Sequence, residues 1–365
     1  MRWLRLFIVW VLSALVVSAF LSHWSLADGA PRNSLQMFLD GQAHRPFAYR
    51  LLAPALVNAA EEALPAPARR FLADDVAPAF RARYVAPLLP IYEAQIPGIT
   101  ERAHQDWAQE RYRASYVLMV ALMLCSLAGA MLLLHRAVSQ LGAGEWAAMG
   151  AVAVYGLMVP TLFLNGGYFY DFTEQLGAVA FICCVLEKRW VLSAGVLFLM
   201  QFNKETAVLM PLFLAFHFWQ WGRWQGLRWG AFNLLMCVLL LMAVRLYGAH
   251  WPGQSSEWHL DDNLTFWFSV ESWRRTTDFH ALGVALPRCV FLCFALAALV
   301  WGWKRGATAN VIAATIAFGV LSVLLLTMGF TDEYRNISLA LPLLILVLFE
   351  KRGDKGVPQR SIQAL

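Results

Sequence analysis

Long apolar runs separated by short polar breaks dominate the chain, and their lengths set the first expectation. A helix that crosses a hydrocarbon core about 30 Å thick needs about 20 predominantly apolar residues. Ten runs come near that length, at about 4–22, 114–135, 146–165, 174–187, 190–202, 206–221, 229–247, 287–303, 309–329 and 337–350. The pattern predicts a single membrane domain over 1–365, an all-α polytopic bundle of about ten spans. Two stretches do not read as spans. Segment 23–113 is far longer than a connector needs, and 248–286 forms a second long loop. After Pro46 the first turns amphipathic (Leu51, Leu52, Ala55, Leu56), which predicts interfacial helices within it.

The stretch 190–221 is interrupted only by Asn203-Lys204-Glu205. As one helix its 32 residues would run about 48 Å, too long for a bilayer. As two helices, 190–202 covers only about 20 Å, which puts the turn with Lys204 below the membrane surface. The neighbouring run 174–187 is equally short and begins beside Asp171 and Glu174. Polar backbone at that depth is tolerated where it lines protein or a water-filled cavity. Two adjacent short spans therefore predict a recess on the same side as that turn.

Composition agrees with a membrane: 59% of residues are hydrophobic and 15% charged, against about a quarter charged in soluble domains. The position of the charge matters more than the net +5. Arg2, Arg5, Arg136, Lys188, Arg189, Arg223, Arg228, Lys304, Arg305, Lys351, Arg352, Lys355 and Arg360 fall in one set of short segments. The opposite set holds Lys204, Arg274, Arg275 and Arg335. Thirteen against four places both termini in the cytoplasm of a bacterial inner membrane, with the long loops periplasmic. The first run reads as an uncleaved span, because Ser22-His23-Trp24 is a poor cleavage site. No basic stripe or nucleic-acid motif is present, so nucleic acid is not an expected partner. The six cysteines lie inside apolar runs and read as small core side chains.

Candidate chemistry gathers on the side away from the termini. It comprises Gln36 through Pro54, the loop Asn165 to Glu174, Asn203-Lys204-Glu205-Thr206, the stretch 248–286, and Thr331-Asp332-Glu333-Tyr334-Arg335-Asn336. Each couples acids, cations or both with aromatic rings. Plainer readings stand beside these. Asp40 reads equally as a loop acid or helix cap, and Arg45 and Arg50 as snorkelling arginines of an interfacial helix. Lys204 and Glu205 read equally as an internal ion pair, and Asp332, Glu333 and Arg335 as a solvated turn. The pairs Asp74-Asp75 and Asp261-Asp262 read as solvated acids rather than cation sites. His44, His259 and His280 lack metal-ligand spacing.

These residue types suit sugar transfer from a polyprenyl phosphate. That reaction needs a carboxylate to take a proton from the acceptor, cations for the departing phosphate and aromatic faces for the sugar. The arrangement resembles the GT-C superfamily of membrane glycosyltransferases, which have a first span, then a long external loop with amphipathic helices and an acid near its start. The stretch Arg45-Pro-Phe-Ala-Tyr-Arg-Leu-Leu-Ala-Pro54 is also similar to uncharacterised bacterial membrane proteins grouped with that superfamily. The resemblance implies an inverting glycosyltransferase at the periplasmic face, with Asp40 as base. Arg45, Arg50, Lys204 and Arg335 would bind the donor phosphate. Tyr49, Tyr170, Asp171, Glu174, Glu205 and Glu333 would hold sugar or acceptor. Asp-X-Asp and Glu-X-Asp motifs are absent from the first loop, which favours a metal-independent reaction without cofactors. The rivals are an envelope polysaccharide polymerase or ligase, a transporter and a non-catalytic scaffold.

Overall fold

The computed structural model describes residues 2–164, 166–220, 222–253, 258–269, 279–329 and 334–351, with backbone only for 2, 24, 223, 267 and 279–288. Among the described residues the protein is helical and without strands. The isolated bridge between Arg45 and Gly253 is its one piece of β-type pairing. Among the described residues six helices are long and apolar enough to cross a bilayer: Arg2–Trp24, Glu110–Gln140, Glu145–Phe163, Phe169–Leu186, Arg223–Tyr247 and Ala309–Met328. Ten crossings would also need the helices Trp190–Gln201 and Ala340–Phe349. At 12 and 10 residues these are too short to reach across alone. The expected span 206–221 is instead a 3-10 turn, Glu205–Leu209, followed by the short helices Met210–Phe213 and Ala215–Gln220. Pro211, which has no N–H to donate, stands at the start of the second piece. The expected span 287–303 falls within the helix Phe279–Arg305.

The innermost element is helix 340–349, where every residue from Ala340 to Val347 is buried. It packs among helices 110–140, 145–163, 279–305 and 309–328. Small residues let the helices approach closely. A Cβ on Gly156 would lie 3.1 Å from Met131 Cε, and one on Gly177 only 2.5 Å from Met200 Cγ. The outer faces carry large exposed apolar side chains such as Phe7, Leu199, Leu239 and Val323, as lipid-facing helices do.

The segment after the first helix folds into a cap over one end of the bundle. Its helices are Leu35–Leu39, Leu52–Ala63, a run over 66–85 with alternating α and π turns, Leu89–Glu93 and Ile99–Ala108. Helix 110–140 has 31 residues and is therefore about 46 Å long. That exceeds a hydrocarbon core, and its first turns rise into the cap, where Tyr112 and Tyr116 are fully buried. Helix 99–108 starts where Glu93 accepts hydrogen bonds from the backbone N–H groups of Gly98 (2.6 Å) and Thr100 (2.8 Å). Those bonds, chiefly that from Thr100, hold the Glu93 carboxyl below its ordinary range.

Candidate functional site

Helix 169–186 begins just beyond Gly166, whose φ of +84 lies in the left-handed region open to glycine. The Tyr168 N–H donates to Asp171 Oδ2 at 2.8 Å, which fixes that carboxylate in the first turn. Asp171 and Glu174 are three residues apart and so share a helix face. Lys204 reaches both from the turn after helix 190–201. Its Nζ donates to Asp171 Oδ1 at 3.0 Å and to Glu174 Oε2 at 2.9 Å. Thr206 Oγ1 donates to Glu174 Oε1 at 2.6 Å, and Asn203 Nδ2 to the Tyr170 carbonyl at 2.9 Å. The turn is thus tied to helix 169–186 at three positions.

Two arginines complete the network. Arg335 Nη1 lies 3.5 Å from Asp171 Oδ2 and donates to the Tyr170 hydroxyl at 2.9 Å. Its guanidinium carbon stands 4.2 Å over the Tyr168 ring. Tyr168 and Tyr170 stack with ring centroids 5.3 Å apart. Arg50 Nη2 donates to Glu205 Oε1 at 3.0 Å, and Arg50 Nη1 also donates to the Pro46 carbonyl. Lys204 pairs with Asp171 and Glu174 rather than with its sequence neighbour Glu205. Arg50, Lys204 and Arg335 face Asp171, Glu174 and Glu205, and apart from Glu205 all are at most 5% exposed. Three cations matched to three carboxylates, all but Glu205 desolvated, form a compensated set. No positive charge in it is left over for a phosphate.

Above this network lies an open cleft of about 570 Å3, lined by Arg32, His44, Arg45, Pro252, Gly253, Trp258 and His259. Its floor is backbone. The His44 N–H donates to the Arg32 carbonyl at 2.9 Å and the Arg45 N–H to the Pro252 carbonyl at 2.7 Å. Gly253 is required there: its φ is +96, and a Cβ would lie 2.6 Å from the Arg45 carbonyl oxygen. Among the described residues the lining contains two arginines, two histidines and no carboxylate. His259 Nδ1 is 3.3 Å from Asp262 Oδ2, while Arg45 Nε is buried without a hydrogen-bond partner. The floor of the cleft roofs the ion network, since Phe47 packs on Tyr168 (centroids 5.2 Å apart) and Asn33 Nδ2 donates to the Tyr168 hydroxyl.

The expected site residues therefore divide. Arg50, Tyr170, Asp171, Glu174, Lys204, Glu205 and Arg335 come together in the network, whereas Arg45 joins the cleft. Asp40 is in neither lining. It ends helix 35–39, accepts from Gln36 Nε2 at 2.6 Å and lies 4.0 Å from Arg111, which is also 3.8 Å from the buried Glu61. Tyr49 is buried in packing beside Gly248. Asp74 is paired with Arg113 at 2.7 Å. Asp332 and Glu333, and the side chain of His280, lie outside the described residues.

One residue escaped the sequence reading. Asp28 is 4% exposed and accepts from Trp107 Nε1 at 2.8 Å, the Tyr112 hydroxyl at 2.7 Å and Ser25 Oγ at 2.6 Å. It clasps the end of the first helix to the cap and to the start of helix 110–140. In the sequence it is a lone acid in an Asp-Gly turn, and two of its three donors are some eighty positions away. Compared with family models, curated proteins and solved structures, the chain matches none.

Proposed function

We propose that the protein is a membrane glycosyltransferase that moves a sugar from a polyprenyl-phosphate donor to a lipid, glycan or protein acceptor, at the capped end of the bundle. The observation that carries this reading is the gathering of Arg32, His44, Arg45 and His259 around one open cleft. A phosphate there meets planar guanidinium donors suited to its geometry. In this reading the donor phosphate is held by Arg32, His44 and Arg45. The buried Arg50, Lys204 and Arg335 are committed to their carboxylates, and they shape the roofed network beneath. The basic residues of the sequence orient the capped end to the periplasm, away from both termini.

Asp40 lies outside that lining but only four residues before His44, and the chain between them turns tightly through Gly41 (φ +66). Its carboxylate takes the proton of the acceptor hydroxyl as that oxygen attacks the anomeric carbon. The bond from the sugar to the phosphate oxygen breaks, the electron pair leaves with the phosphate, and the arginines stabilise the charge that develops.

The test uses purified protein in lipid nanodiscs with a panel of labelled polyprenyl-phosphate sugars. Transfer is expected, with R45A lowering kcat/KM by about 100-fold or more, as lost charge stabilisation does, and D40N removing most of the rate. Wild-type rates in both variants sink the mechanism. The buried ionisable network favours one rival, transport, since such groups within a bundle often mark a substrate path. Counterflow of a sugar in proteoliposomes, without covalent transfer, would decide for it.

A further inference from the structure

At the end opposite the cap, a second cleft of about 690 Å3 opens between the starts of the first helix and of helix 145–163 and the end of helix 110–140. Arg5, His135, Arg136, Gln140 and Glu145 line it. Unlike the cleft under the cap, it carries both signs of charge. Arg5 is loosely held, with Nη1 3.4 Å from His135 Nδ1 and 3.7 Å from Glu145 Oε1, and its Nε is buried without a hydrogen-bond partner. His135 is 5% exposed, and its Nε2 lies 3.3 Å from Glu145 Oε1 without the geometry of a hydrogen bond. Arg136 is committed through Nε alone, to Glu187 at 2.6 Å. Glu145 makes no contact shorter than these two long ones among its ion pairs.

We propose that this cleft is a headgroup site for a zwitterionic phospholipid with a primary ammonium, of the phosphatidylethanolamine type. The phosphodiester fits between Arg5 and Arg136, whose free N–H groups can donate to it. The ammonium fits Glu145, which is 38% exposed at its side chain and has acceptor capacity to spare. The acyl chains continue onto the exposed apolar face of the first helix, where Trp3 is 81% and Phe7 66% exposed. Trp146, 71% exposed on the other side of the cleft, is the type of residue that anchors at headgroup level. A wholly anionic headgroup would bring no cation to Glu145. A choline headgroup lacks the N–H donors that Glu145 can accept from.

The experiment is native mass spectrometry of the full chain released from nanodiscs that contain equal amounts of phosphatidylethanolamine, phosphatidylcholine and phosphatidylglycerol. The ethanolamine lipid is expected to be retained about fivefold over either competitor. Glycerophosphoethanolamine, which carries the headgroup without tails, is expected to compete only weakly. E145Q should erase the preference over phosphatidylcholine, and R136Q should lower retention of all three lipids. Both positions are exposed by more than a third, so neither substitution opens the core. Equal retention of the three lipids by the wild-type protein, or a preference that survives E145Q, overturns the proposal. Preferential retention of phosphatidylglycerol overturns it too. Strong competition by the tail-free headgroup would mean that the site takes a soluble phosphoethanolamine rather than a lipid. None of these outcomes depends on sugar transfer.

Discussion

Lys204 Nζ and Asp171 Oδ1 lie 3.0 Å apart where neither residue is more than 2% exposed. Removing the cation leaves Asp171 and Glu174 facing each other with less compensation in a desolvated place. K204M is therefore expected to lower stability by about 3–5 kcal/mol, as breaking one side of a buried ion set does. E174Q in the same chain should recover part of that loss, because it removes the charge left unpaired. Equilibrium unfolding in mild detergent, run as a double-mutant cycle, measures both effects. A K204M protein as stable as wild type would show that the network is not energetically coupled.

Arg335 stacks on Tyr168 and donates to the Tyr170 hydroxyl while facing Asp171. A lysine keeps the charge but not the flat face or the fork of donors. R335K is expected to cost about 1–2 kcal/mol, the worth of a desolvated stack on an aromatic ring. R335A should cost more, since it also removes a cation from Asp171. The same unfolding assay ranks the two; equal losses would mean that stacking contributes nothing.

Asp28 accepts from three side chains that belong to the first helix end, the cap and helix 110–140. Asn in its place offers one acceptor oxygen and points an NH2 group at a donor. D28N is expected to destabilise the cap by about 3 kcal/mol, the order expected when buried donors lose a charged acceptor. Limited proteolysis should then cut within 66–108 faster than in wild type while the bundle helices stay protected. Unchanged cleavage would remove Asp28 from that role.

Asp106 supplies a pH dependence. Burial pushes its carboxyl up to about 6, and Asp28 and Asp40 add to the shift. A carboxyl that binds its proton more tightly when folded contributes stability at low pH. That contribution is lost as pH rises from the ordinary value of about 4 through about 6. The wild-type midpoint minus that of D106N should therefore fall across this window and stay level above it. A difference that is flat from pH 4 to 7 would contradict the shift.

The helical class, the helices hidden in 23–113 and the buried position of Lys204 could all be read from the chain. Apolar run length and polar interruption are local quantities, and they suffice for those features. Partner choice was not local. Lys204 and Glu205 are adjacent, yet the turn sends one to Asp171 and Glu174 and the other to Arg50. Arg45 and Arg50 read as one basic pair, but backbone pairing with Pro252 and Gly253 places Arg45 at the cleft while the turn Phe47–Tyr49 carries Arg50 inward. His44 and His259 meet only because two distant loops share a floor. The run 206–221 looks continuous in hydropathy despite its one proline, whereas the chain there breaks into three short pieces.

Helix 340–349 follows in sequence every helix it packs against, yet it lies at the centre of them. During synthesis the earlier helices must wait with an unfilled middle until this segment arrives, so their assembly is gated by a piece made after all of them. A chain that stops before Ala340 exposes the apolar lining of that gap and offers quality-control proteases a simple mark of incompleteness.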